Sequence, residues 1–186
     1  MKRIIIIVLC LMLNASQVIG FELGETSIPD TLAAGENALV LNGAGYRTKF
    51  FIKAYVGGLY LMEKSHDPEL IISSNSPMAI RLHIVSSLIT SQKMVDAVTE
   101  GFMKATKEDT ASIQNEIDRM LVLFREEIKV GDIYDLIYIP GTGVTASKNR
   151  IKMGTFSGLE FKRALFGIWL CDSPADATLK QKMLGN

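Results

Sequence analysis

The residues best placed to do chemistry lie in one stretch, LVLNGAGYRTKFFIKAYVGGLYLM, Leu39–Met62. Arg47, Lys49 and Lys53 sit there among Phe50, Phe51, Ile52, Tyr55 and Tyr60. A cation buried in such apolar mass must be paired. Arg47 therefore either faces water, as most charged side chains do, or waits for an anion. The rest of the sequence offers few rivals. No Gly-rich phosphate loop opens a helix, since Gly43-Ala44-Gly45 lies between strand-like runs. No Cys or His cluster has zinc spacing, and no nucleophile elbow appears. His83 lacks a second His at ligand spacing. No metal and no cofactor is expected.

These side chains need elements to hold them. Val40, Leu41 and Asn42 lead into Gly43-Ala44-Gly45, read as a Gly-rich bend or a close backbone approach. Asn37–Asn42 reads as a strand, and Phe21–Leu32 as an irregular lead-in in which Pro29 discourages regular structure at Ile28. Asp67 caps a short helix with Pro68 at its first position, through about Ser73. Met78–Val85 alternates as a half-buried strand. Two helices follow. Thr90 or Ser91 starts the first, with Met94, Val98 and Phe102 on one face. Asp109 starts the second, with Ile113, Ile117, Met120, Leu121 and Phe124 inward. The carboxylates of Glu116, Asp118, Glu126 and Glu127 read as its wet side.

Ile133–Ile139 is a strand, and Val144–Ala146 pairs with Ile151–Phe156 as a hairpin tipped by Lys148-Asn149. Gly158 opens a helix that is apolar nearly all round to Trp169. Ser173-Pro174-x-Asp176 starts a last short helix, ended by Gly185. Strands, helices, strands, helices in that order give an α+β fold: an antiparallel sheet with helices packed on one face.

The chain has 186 residues, 48% hydrophobic and 22% charged, which suits one domain with a proper core. Twenty basic residues balance twenty acidic ones, so charge makes no case for nucleic acid. Met1–Gly20 reads as a secretory signal: Lys2 and Arg3, then the apolar run Ile4–Leu13, then short residues ahead of Phe21. That run is too short to span a bilayer comfortably, so no stable membrane span is expected after the signal is removed. Removal leaves 18 basic and 20 acidic residues, a charge of −2, in a periplasmic or secreted chain. It also leaves one cysteine, Cys171, so no internal disulfide forms and the core must carry the stability.

Three segments together resemble the exported bacterial chalcone isomerase-like proteins: NGAGYRTKFFIKAYVGGLYL, YIPGTGV and GTFSGLEFKRALFGIWLCDSPADATLKQKMLG. The likeness runs over nearly all of the chain after residue 20. It departs at Cys171, where Gly is expected after Trp169-Leu170, and at Arg150, where Gly would give an easier turn. The resemblance implies an open-faced β-sandwich, with a large antiparallel sheet, covering helices and a ligand cleft between them. Plant chalcone isomerases close a flavanone ring by adding a phenolate to an enone, in a site lined by an Arg, a Thr, a helix Tyr and an Asn. Fatty-acid-binding relatives keep the Arg and use a Tyr to hold a carboxylate.

By position the Arg is Arg47, and the Thr falls at Tyr55, as in the fatty-acid binders. The helix Tyr falls near Lys93 and the Asn near Glu100, so the enzymes' phenol and amide are missing. A lipid carboxylate needs less, one Arg contact and one hydroxyl donor. The expectation is a non-catalytic protein binding a fatty acid or similar apolar anion through Arg47 and Tyr55. The alternative is an isomerase of the intramolecular lyase type acting on a chalcone-like substrate, with Arg47 stabilising charge and Tyr55 donating a proton. Either role needs the two residues together. Eight residues of continuous strand would part them by about 26 Å. The chain must therefore reverse near Phe50-Phe51, where no Gly, Pro or Asn marks a turn. The resemblance supplies a hairpin there.

Overall fold

The computed structural model describes residues 20–186. The predicted signal lies outside the described residues except for Gly20, which opens a strand. Strands β1 (Gly20–Leu23) and β2 (Thr26–Pro29) form a hairpin turning at Gly24. Seven more strands follow: β3 (Thr31–Ala34), β4 (Asn37–Lys49), β5 (Ile52–Leu61), β6 (Met78–Ile84), β7 (Ile133–Ile139), β8 (Gly143–Lys148) and β9 (Ile151–Phe156). They lie side by side in chain order, every pair antiparallel. Helix α1 (Pro68–Ser73) links β5 to β6, and α2 (Ser91–Ala105) and α3 (Gln114–Val122) link β6 to β7. Helices α4 (Leu159–Leu170) and α5 (Ala177–Met183) close the chain.

The strands alternate between two cores. Leu59, Ile80, Leu82 and Leu136 pack against the helices, where α4 brings Phe161, Leu165 and Phe166. Val56, Tyr60 and Ala79 face the other way and pack with Ile28 of β2. The hydroxyls of Tyr46 and Tyr60 donate to the carbonyls of Leu23 and Pro29 at 2.7 and 2.9 Å, tying the β1–β2 hairpin to that face. The α+β architecture, with its helices on one face of an antiparallel sheet, is therefore as the patterning predicts.

Several local expectations need correction. Phe21–Leu32 is not irregular: Pro29 ends β2 in a two-stranded sheet, an edge position where a missing N–H costs no ladder bond. Gly43-Ala44-Gly45 is not a bend but the middle of β4. Its glycines lie under α5, and a Cβ on Gly43 would come 2.1 Å from the Lys182 carbonyl oxygen. A close approach of helix to strand is what they serve. The second helix is entered through a 3-10 turn at Ala111–Ile113, without a side-chain cap, and it ends at Val122. Glu126 and Glu127 lie beyond it. The β8–β9 tip is Asn149-Arg150, both at positive φ, one residue later than expected.

One buried cation belongs to the architecture. Lys162 of α4 is fully buried, and its Nζ donates to the carbonyls of Ile71, Ile72 and Ser74 at 2.8–3.0 Å. These are the orphan acceptors at the C-terminal end of α1. Burial, with Arg163 nearby, pushes the pKa of this lysine down to about 8.

A candidate ligand cleft at the β4–β5 hairpin

Strands β4 and β5 reverse at Phe50-Phe51, with φ of 49° and 64°. Positive φ at both central residues is the geometry of a tight two-residue hairpin, usually given to Asn or Gly. Phe holds it at a cost of roughly 1–2 kcal/mol per residue. The reversal brings Arg47 directly opposite Tyr55. Below it, Ala54 is the extra residue of a β-bulge between the Arg47–Tyr55 and Thr48–Lys53 pairs. Such a bulge re-aims the side chains around it.

Both side chains point toward the helices. They line a narrow cleft whose walls are Leu82 and Leu136 from the sheet, Met94 and Val98 from α2, Met120 and Phe124 from α3 and just past it, and Leu165 and Ile168 from α4. The space left inside is about 20 Å³, room for one water. Arg47 also lines a wider, more polar mouth of about 170 Å³ with Thr48, Lys49, Glu100 and Lys104. It thus stands where the apolar floor meets the opening.

The electrostatics single Arg47 out. Its Nε is buried with no hydrogen-bond partner, and it takes part in no ion pair among the described residues. The nearby carboxylates are engaged elsewhere. Glu100 accepts from Lys104 at 2.6 Å, and that bond holds its carboxyl below the usual range. Asp176 caps α5 by accepting from the Leu179 amide, and its other oxygen takes the Thr48 amide, both at 2.9 Å. The guanidinium carbon lies 5.7 Å from the centre of the Tyr55 ring, a cation–π contact.

Tyr55 is 3% exposed, and its hydroxyl accepts from Trp169 Nε1 at 2.8 Å. Its own proton has no acceptor among the described residues. Burial pushes the phenol's pKa up, against the pull of Arg47 and the indole N–H, so Tyr55 stays a donor. One guanidinium N–H and one phenol O–H are thus left over, in a pocket walled by hydrocarbon. That set can hold an anion whose tail is apolar.

A model of chalcone isomerase-like proteins matches residues 20–185. The chain belongs to the chalcone isomerase-like family. Among solved structures it is similar to a fatty-acid binding protein of Arabidopsis thaliana, with a TM-score of 0.66 and 17% identity. The match covers 86% of this chain and 91% of that one, and it carries the same fold. No curated protein matches by sequence.

Within this chalcone isomerase-like chain the structure brings Arg47 and Tyr55 together and sets the two weaker candidates apart. Lys93 is exposed on the first turn of α2 and donates to the Leu88 carbonyl at 2.9 Å, away from the cleft. Glu100 reaches the mouth only, paired with Lys104. The α2 residues that face the cleft are Met94, Ala97 and Val98, and Gly101 and Lys104 join Glu100 at the mouth. Sequence reasoning missed Trp169 and Asp176. The signal for Trp169 was present: a lone Trp in a helix apolar all round must find an acceptor for its N–H. Asp176 showed only its capping role.

Proposed function

We propose that this protein binds a fatty acid or a similar apolar anion and does no chemistry on it. The carboxylate sits between Arg47 and Tyr55, and the tail lies between the sheet and helices α2 to α4. The observation that carries this reading is the buried Arg47 Nε without a partner, beside a phenol whose proton is unused. An unmade hydrogen bond at a buried guanidinium N–H is costly, and an incoming carboxylate would remove that cost. The fatty-acid binding function of the Arabidopsis protein with this fold agrees with the reading.

The cleft holds about 20 Å³, far below the roughly 300 Å³ of a typical ligand site, so α2 and α3 must move outward to admit a tail. The isomerase reading has less to work with, because α2 offers Met94, Ala97 and Val98 to the cleft and Glu100, Gly101 and Lys104 to its mouth, where a phenol and an amide would be wanted. The signal-like Met1–Gly20 supports export, with the bound form acting in a periplasm or outside the cell. Among the described residues no helix is long and apolar enough to cross a membrane.

The test is lipid mass spectrometry on wild type, Arg47→Leu and Tyr55→Phe, each purified from its own envelope or culture medium. Wild type should carry fatty acid, Arg47→Leu almost none and Tyr55→Phe a reduced load. Equal loads in all three would end the reading.

A further inference from the structure

The tip of the β4–β5 hairpin spends two large apolar side chains on nothing inside the fold. Phe50 is 83% exposed and Phe51 fully so. Both sit at positive φ, where Asn and Gly would be unstrained. A residue that adds strain and packs on nothing is not there for folding.

Strand registers place more of the same nearby. Lys49 pairs with Ile52, Tyr55 with Ile84, His83 with Ile133, Tyr134 with Lys148, and Lys148 with Ile151. The loops after β4, β6 and β8 therefore leave the same end of the sheet. That end carries Leu88 at 51%, Val130 at 57% and Ile151 at 73% exposure. The Phe50-Phe51 tip projects about 10 Å past the Arg47–Tyr55 pair, two ladder pairs and a turn beyond the level where β6 ends.

The flanks of the tip are basic. Lys49 and Lys53 are exposed on either side, and Arg150 is exposed at the β8–β9 tip, at the same end of the sheet but beyond β6 and β7. Lys53 Nζ rests over the Tyr46 ring at 4.1 Å. Glu100 and Asp176 stand near the stem, but Lys104 and backbone amides occupy them. Glu126 and Glu127 are exposed before β7 at the same end, so the basic excess is confined to the hairpin tip, in a chain whose charge without Met1–Gly20 is −2.

We propose that this end of the sheet docks on an anionic lipid bilayer, with Phe50 and Phe51 inserted at the headgroup boundary and Lys49 and Lys53 on the phosphates. Aromatic side chains with flanking lysines suit that boundary, and the two signals together give reversible anchoring. The cleft mouth, lined by Arg47, Thr48 and Lys49, then opens beside the membrane at the foot of the wedge. Exchange of ligand with the bilayer rests on the cleft reading above; the docking does not.

Flotation with vesicles of phosphatidylcholine alone, and with one third phosphatidylglycerol, tests this on the chain lacking Met1–Gly20. Wild type should float with the anionic vesicles, less so without phosphatidylglycerol, and lose binding as salt rises. Phe50→Asn with Phe51→Gly, a pair suited to the turn, should keep or raise thermal stability and bind at least tenfold less. Arg47→Leu should float like wild type while carrying no fatty acid, which separates failure of the cleft from failure of the dock. Equal flotation of wild type and the tip variant would overturn the proposal. So would no flotation of wild type together with a dimer that the tip variant dissolves, since a second copy would then own the tip.

Discussion

Tyr55 does two jobs with one oxygen. It accepts the Trp169 N–H at 2.8 Å and, in the reading proposed above, would give its own proton to the ligand. Tyr55→Phe should therefore cost stability as well as affinity, because the buried indole N–H loses its acceptor, at about 1–3 kcal/mol. Trp169→Phe removes that orphan, so the double variant should be less destabilised than the two single losses added together. Urea denaturation of the four proteins checks this. Strict additivity would mean the bond contributes little. Arg47 was legible in the sequence because a guanidinium in apolar company demands an anion or water. Tyr55 was legible only beside the resemblance, since one phenol among several carries no mark of its own. Lys162 was not legible at all. In FKRALF it reads as an ordinary helical lysine, and only the fold sets α1's last carbonyls against it.

Among the elements, those with caps and clean periods announced themselves. Asp67-Pro68 starts α1 as read, and Asp67 Oδ1 accepts from the Glu69 and Leu70 amides. Thr90 caps α2, and α4 is buried nearly all round. The central hairpin did not, because its turn uses Phe where local chemistry asks for Asn or Gly. The glycines of β4 pointed to something real, but what they serve depends on a helix some 140 residues later. Gly43→Ala should push α5 off the sheet and cost about 2–3 kcal/mol, the upper part of the usual range for overpacking, against about 1–2 kcal/mol from backbone strain alone for Gly141→Ser, where the space is open but φ is 78°. The start of β7 is held by charge. Asp132 is buried, and burial alone would raise its pKa. The Lys129 amide, Asn149 and Lys148 outweigh this and hold the carboxyl below the usual range. Its folded-state pKa is depressed, so its contribution is present above the unfolded value near 4 and is lost as pH falls through the folded value. Wild type should exceed Asp132→Asn in urea midpoint at pH 7, and the gap should close as the pH falls toward 2. A gap that stays constant would mean Asp132 acts by packing alone.

At the scale of the whole molecule, one sheet separates two cores, and the helix-covered one opens at Arg47 onto a polar mouth. The α+β class followed from element order alone. The hairpin on the opposite face did not, since Pro29 masked it. A molecule built this way should recognise a head group at Arg47 and treat the tail as bulk hydrocarbon. Affinity should therefore depend on the carboxylate's charge. The most direct measurement is calorimetric titration of wild type and Arg47→Leu with a long-chain fatty acid and with its methyl ester. Wild type should bind the acid roughly 10- to 100-fold more tightly than the ester, the worth of one charged hydrogen-bonded contact, and Arg47→Leu should bind both equally. A wild type that takes acid and ester alike would contradict the account.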